Sequence, residues 1–85
     1  MLNGHRGLQM TEFHHELDAC GLNCPLPVLR TKKTLDKMAS GEILQVIATD
    51  PGSVEDMAAL VRQTGHEVLE TRQESDRYYF LVKKA

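Results

Sequence analysis

The chain is predicted to fold as an α/β two-layer sandwich in the order βαβαββ, and three observations carry that prediction. Apolar residues recur at helical spacing from Pro25 to about Ala39 and again from Val54 to Thr64. Four other short stretches are rich in branched and aromatic residues or alternate apolar with polar. Turn-forming residues separate them: Gly21, Gly41, Asp50-Pro51-Gly52 and Gly65. Right-handed crossovers then put both helices on one face of a mixed four-stranded sheet, with the last two strands as an antiparallel hairpin.

Taken in order, residues 1–11 show no periodicity and read as a flexible extension, leaving 12–85 as the folded domain. Phe13, His15 and Leu17 alternate with His14, Glu16 and Asp18, which suits a first strand ending at Ala19. On a helical wheel Val28, Thr31, Leu35, Met38 and Ala39 share an apolar arc, and Gly41 ends the helix. Glu42–Thr49 is a near-continuous apolar run, as expected of a central strand. Asp50, or Ser53 with Asp56, is placed to cap a second helix whose inner face is Val54, Met57, Ala58, Leu60, Val61 and Thr64, closed by Gly65. His66–Thr71 reads as a strand, Arg72–Asp76 as a polar loop, and Arg77–Lys83 as the strongest strand of the chain.

Composition narrows the function. The 85 residues make one domain, 41% hydrophobic and 26% charged, with no apolar run near the roughly 18 residues a membrane span needs. A net charge of −2 argues against general nucleic-acid affinity. The N-terminal segment lacks the apolar core of a signal peptide, so a cytoplasmic location with both cysteines reduced is expected. Charge is unevenly spread: between Gly21 and Ser40, Arg30, Lys32, Lys33 and Lys37 stand against Asp36 alone, a local charge of +3.

The chemistry concentrates at Cys24-Pro25-Leu26-Pro27. Proline has φ near the helical value and no N–H, so Pro25 and Pro27 are tolerated only in a helix's opening turn, which makes Cys24 the capping residue. A sulfur there is expected to face the positive end of the helix dipole, which favours thiolate over thiol relative to a free cysteine of pKa about 8.5. Position 27 is proline where a dithiol motif would carry a second cysteine, so dithiol exchange is disfavoured and a one-thiol carrier fits better. Cys20 reads as a packed residue, and Cys20 with Cys24 lacks the second ligand pair that zinc requires. No metal or cofactor is expected. The wheel sets Leu26, Arg30, Lys33 and Lys37 together on the outer face, an apolar contact with a basic rim suited to docking an acidic partner.

Together, Leu17-Asp18-Ala19-x-Gly21-Leu22-x-Cys24-Pro25-x-Pro27, Gly41-Glu42, Asp50-Pro51, Asp56 and Gly65-His66 resemble the TusA/SirA family of small sulfur-carrier proteins from about Glu16 to the end. The resemblance implies the βαβαββ sandwich, similar to the C-terminal domain of translation initiation factor 3, and makes Cys24 the residue that carries a transient persulfide. It implies a donor such as a cysteine desulfurase and a downstream acceptor protein, with the sulfur destined for 2-thiouridine in tRNA or another sulfur-requiring pathway. Members that thiolate tRNA carry a basic residue before the cysteine and an acidic one between the prolines. This chain has Asn23 and Leu26 there, beside the sulfur where partners dock. The alternatives are an RNA-binding or a regulatory interaction module in which Cys24 is structural. Against the former stand the few aromatic residues available to stack on bases and the negative net charge.

Overall fold

The computed structural model describes residues 13–85. The extension expected over residues 1–11 lies outside the described residues. The elements are β1 (His15–Ala19), α1 (Leu26–Asp36), β2 (Ile43–Ala48), α2 (Ser53–Thr64), β3 (Glu67–Glu74) and β4 (Arg77–Lys83), in the predicted βαβαββ order. They form one four-stranded sheet in the order β1-β2-β4-β3. β1 pairs parallel with β2, and β4 pairs antiparallel with both β2 and β3, so the sheet is mixed.

Strand periodicity sorts the sheet's two faces. Leu44, Val46 and Ala48 of β2 alternate inward and face Val82, Phe80 and Tyr78 of β4 across the ladder. With Leu35 within α1, Met38 just after it, and Met57 and Leu60 of α2, they build the core. Val28, Val61 and Val68 pack at its margin. Burying a side chain such as Phe80 or Leu35 contributes on the order of 1.5–3 kcal/mol, so this one cluster is the main stabilising term.

Three boundaries differ from expectation, each for a local reason. First, α1 starts at Leu26 with Pro25 as its N-cap, and ends at Asp36 rather than Ala39. Its last turn is dismantled by outside partners: the Lys84 ammonium donates to the Leu35 carbonyl at 2.7 Å, and the Ala39 N–H donates to the Glu42 carboxylate at 3.0 Å. Ala39 is therefore exposed instead of joining the apolar arc. Second, α2 has Gly52 as N-cap, with no side-chain cap from Asp50, Ser53 or Asp56. Val54 and Ala58, expected on its inner face, are exposed at the margin of a groove against Val68 and Thr71.

Third, β3 runs to Glu74 and absorbs most of the segment expected as a polar loop. Arg72, Gln73 and Glu74 pair with Tyr79, Tyr78 and Arg77. The Arg72 guanidinium lies 4.3 Å from the ring centroid of Tyr79 across the ladder, a cross-strand pair worth about 0.2–1 kcal/mol, and 2.7 Å from the Glu74 carboxylate two residues along the same strand. Only Ser75 and Asp76 remain as the turn, with Ser75 at φ 56, the positive φ that tight hairpins favour.

Two histidines, His14 and His66, serve the backbone. His14 Nδ1 accepts from the Ile43 N–H at 3.0 Å, and His66 Nδ1 accepts from the Ala85 N–H at 3.0 Å. Burial holds His66 below its usual 6.5, with Lys84 acting in the same direction. A depressed histidine stabilises the fold fully above its unfolded pKa, and that contribution is lost as pH falls through the lower folded value. Acidification below 6.5 should therefore lower thermal stability more in the wild type than in His66→Ala. Parallel melting curves against pH check this, and identical slopes in the two proteins would contradict it.

Candidate functional site

Because β1 and β2 are parallel, with Ala19 opposite Ala48, their C-terminal ends lie side by side and deliver two loops to the same edge of the sheet. That edge is where open sheets with parallel strands place their ligands. The loop after β1 carries Cys24 into α1, and the loop after β2, Thr49 to Gly52, leads into α2. The two are stitched together. The Gly21 N–H donates to Thr49 Oγ1 at 2.9 Å, and the Cys24 N–H donates to the Asp50 carboxylate. Asp50 also takes the Gly52 N–H at 3.2 Å, while its carbonyl accepts from both the amide and the hydroxyl of Ser53. One side chain thus fixes the backbone of the cysteine against the start of the second helix.

Gly52 packs beside the thiol. A Cβ there would sit 3.5 Å from Cys24 Cβ and 3.7 Å from Sγ, in van der Waals contact with the sulfur. Any residue larger than alanine would crowd that side of the thiol.

Cys24 itself is exposed and free, and its Sγ donates a hydrogen bond to the Asp56 carboxylate. This reverses the expectation that the helix would favour the thiolate. The sulfur does not cap α1, whose N-cap is Pro25 and which has no side-chain cap. The prolines are the reason: Pro25 and Pro27 bring no N–H, and the Leu26 N–H is taken by the Asn23 carbonyl at 2.8 Å. The first turn therefore offers sulfur little, while two carboxylates stand beside it. The hydrogen bond to Asp56, then desolvation and the charges of Asp56 and Asp50, push the Cys24 thiol up to about 11. At neutral pH the resting side chain is a neutral thiol.

Pro25 is exposed at the helix start, whereas Pro27 is buried under it, and the Pro27 carbonyl accepts from Thr31 Oγ1 at 2.8 Å. Leu26, Arg30 and Lys33 share a shallow groove of about 460 Å³ along the outer side of α1 with Leu29 and Lys32. Lys37 is exposed but lies past the helix end, outside that groove. Leu29, at 54% exposure, and Lys32 also line a second groove of about 280 Å³ between α1 and α2, which Pro25 and Asp56 bring up to the cysteine. Cys20 is half-buried, its N–H donating to Asp18 at 3.0 Å, and burial followed by Asp18 pushes its thiol up. Among the described residues no group of three or more His, Cys, Asp or Glu side chains is placed to hold a metal ion. None of the helices there is long and apolar enough to cross a membrane.

Sequence reasoning assigned Asp56 to a helix cap and so missed its contact with the sulfur. The signal was its recurrence with Cys24 in one family pattern.

Comparison with known proteins agrees with this architecture. The chain is 58% identical over 76 residues to the sulfur carrier protein TusA of Allochromatium vinosum, covering 89% of this chain and all of that one. It is 40% identical over 77 residues to the TusA of Pseudomonas entomophila, covering 88% of this chain and 96% of the other. Among solved structures, the SirA-like protein of Desulfitobacterium hafniense superposes with a TM-score of 0.74 over 82% of this chain and 96% of its own, at 22% identity, which speaks to the fold alone. The model of the family described as Sulfurtransferase TusA matches residues 15–84, the whole sandwich with the Cys24 loop inside it, and the chain belongs to that family.

Proposed function

We propose that this protein is a cytoplasmic sulfur carrier that receives persulfide sulfur on Cys24 from a donor such as a cysteine desulfurase and passes it to an acceptor thiol. The observation that carries the reading is the exposed Cys24 sulfur, free of any disulfide, at the C-terminal edge of the parallel strands, in a loop locked by Asp50. A solvent-facing thiol on a fixed backbone meets a partner's sulfur without rearrangement of the chain.

In the loading step the Cys24 sulfur attacks the outer sulfur of the donor persulfide. A new S–S bond forms to Sγ, the donor S–S bond breaks, and the donor thiol keeps the proton that Cys24 gives up. Sulfur moves with no net oxidation, so neither cofactor nor external oxidant enters. Delivery is the same exchange in reverse sense, with an acceptor thiolate attacking the outer sulfur of Cys24-S-SH. Leu26, Leu29, Arg30 and Lys33 form the contact on the outer side of α1, the helix that follows the Cys24 loop, an apolar centre with a basic rim that raises encounter rates with acidic partners. Asn23 and Leu26 flank the thiol and select the acceptor, and with it whether the sulfur goes toward 2-thiouridine in tRNA or another product.

Incubation with a cysteine desulfurase and cysteine, followed by peptide mass spectrometry, tests the reading. The expected result is a gain of about 32 Da, one sulfur atom, on the peptide holding Cys24 and none on Cys20. Modification at Cys20, or at neither thiol, would overturn it.

A further inference from the structure

The site described so far holds an unbalanced charge. Asp50 and Asp56 both approach Cys24, but they are used differently. Both Asp50 oxygens are occupied by backbone N–H groups, those of Cys24 and Gly52. The Asp56 carboxylate, on α2, accepts from the Cys24 thiol and, among the described residues, enters no ion pair. The basic residue among those lining its groove is Lys32 of α1, which is bonded instead to Asp36 at 3.5 Å. The groups facing the sulfur are therefore Asp56 from α2 and Asp50 from the loop after β2, with no cation from α1 or β1. A half-buried carboxylate whose one hydrogen-bond donor among the described residues is a thiol, at the mouth of an apolar groove, is an open electrostatic half-site.

Resting on the carrier reading, we propose that Asp56 is the docking point for a cationic side chain that the sulfur donor presents beside its persulfide, and that this pairing frees the Cys24 sulfur for attack. A lysine, arginine or protonated histidine at that place would take over the Asp56 oxygen that now holds the thiol proton. Sγ, released from its acceptor and relieved of the adjacent negative charge, gives up its proton and attacks the donor's outer sulfur, and the departing donor thiolate takes up a proton in its place. The balance is that of the loading step: Cys24-SH and R-S-SH become Cys24-S-SH and R-SH. Asp56 is in this account a positioning residue that keeps the empty carrier protonated until a partner of the right charge arrives. The consequence is selectivity. Small anionic or neutral oxidants meet an unreactive thiol, whereas a partner with a cation beside its sulfur meets an activated one. The donor surface is thus specified twice: acidic where it meets Arg30 and Lys33, and cationic at the reacting centre.

The test uses the full chain in a Cys20→Ala background and two thiol reagents of opposite charge, 2-(trimethylammonium)ethyl methanethiosulfonate and 2-sulfonatoethyl methanethiosulfonate. Each joins its thioalkyl group to Sγ and releases methanesulfinate. The readout is the ratio of the two rate constants, divided by the same ratio for free cysteine. Asp56→Asn should lower that ratio roughly three- to tenfold, as expected for removing one charge a few ångströms from the reacting atom. Glu55→Gln removes an exposed charge from the adjacent position of α2 and should change the ratio far less. In Asp56→Asn the alkylation midpoint should also fall from about 11 toward the ordinary 9.0, which a purely structural role would not produce. A ratio that changes no more than in Glu55→Gln, or a midpoint that stays near 11, overturns the proposal. Failure of persulfide loading with the charge ratio behaving as expected would instead refute the carrier reading and leave this electrostatic site standing.

Discussion

Cys24→Ser should abolish persulfide loading and leave the fold intact. Serine is one atom different, and its hydroxyl donates to Asp56 as the thiol does, so the local hydrogen bonding survives. Cys24 is exposed and absent from the core, so stability should shift by no more than about 0.5 kcal/mol in either direction. Loading should fall to background, because an alcohol forms no persulfide. Thermal melting and intact mass after exposure to a persulfide donor check both halves. A variant that unfolds would mean that Cys24 is a structural residue, and one that still gains sulfur would mean that another atom carries it.

Asp50→Ala has the second largest expected effect, and it acts on fold and site together. The Asp50 carboxylate satisfies the N–H groups of Cys24 and Gly52, and alanine satisfies neither. Leaving the part-buried Gly52 donor unpaired costs about 1–3 kcal/mol, the exposed Cys24 N–H less because water reaches it, and for a domain of this size 1 kcal/mol moves the midpoint by roughly 4–8 °C. Asp50→Asn retains one acceptor oxygen and should lose less. The loading rate should drop in the same order, alanine below asparagine below wild type, as the sulfur is no longer fixed against α2. Melting midpoints and loading rates of the three proteins decide it. Equal midpoints would show that water replaces the carboxylate at no cost and that Asp50 is not the clamp.

The fold was legible because its signals are local. Two helical periods, four short apolar strands and glycines at positive φ, Gly21, Gly41 and Gly65, punctuate the chain one after another. The end of β3 escaped because Arg72 and Glu74 lie on the open face, where a strand need not alternate apolar with polar, and only their partners on β4 show why they extend. The end of α1 escaped because Lys84, 49 residues away from Leu35, takes its terminal carbonyl. The position of the thiol was legible from two prolines, but its charge state was not. Helix-start reasoning counted amides that the prolines themselves remove. It had no means of seeing Asp56, which lies 32 residues along the chain and reaches the sulfur only when the parallel crossover sets α2 beside α1.

The central claim, that Cys24 holds sulfur in transferable form, is tested most directly by a load-and-discharge cycle followed by intact mass spectrometry. The wild-type chain is loaded with a persulfide donor, freed of it, and mixed with an acceptor thiol such as glutathione. A gain of about 32 Da that maps to Cys24 and then disappears into the acceptor is the predicted result. A mass gain that persists in the presence of excess acceptor, or that appears equally in Cys24→Ser, would contradict the account.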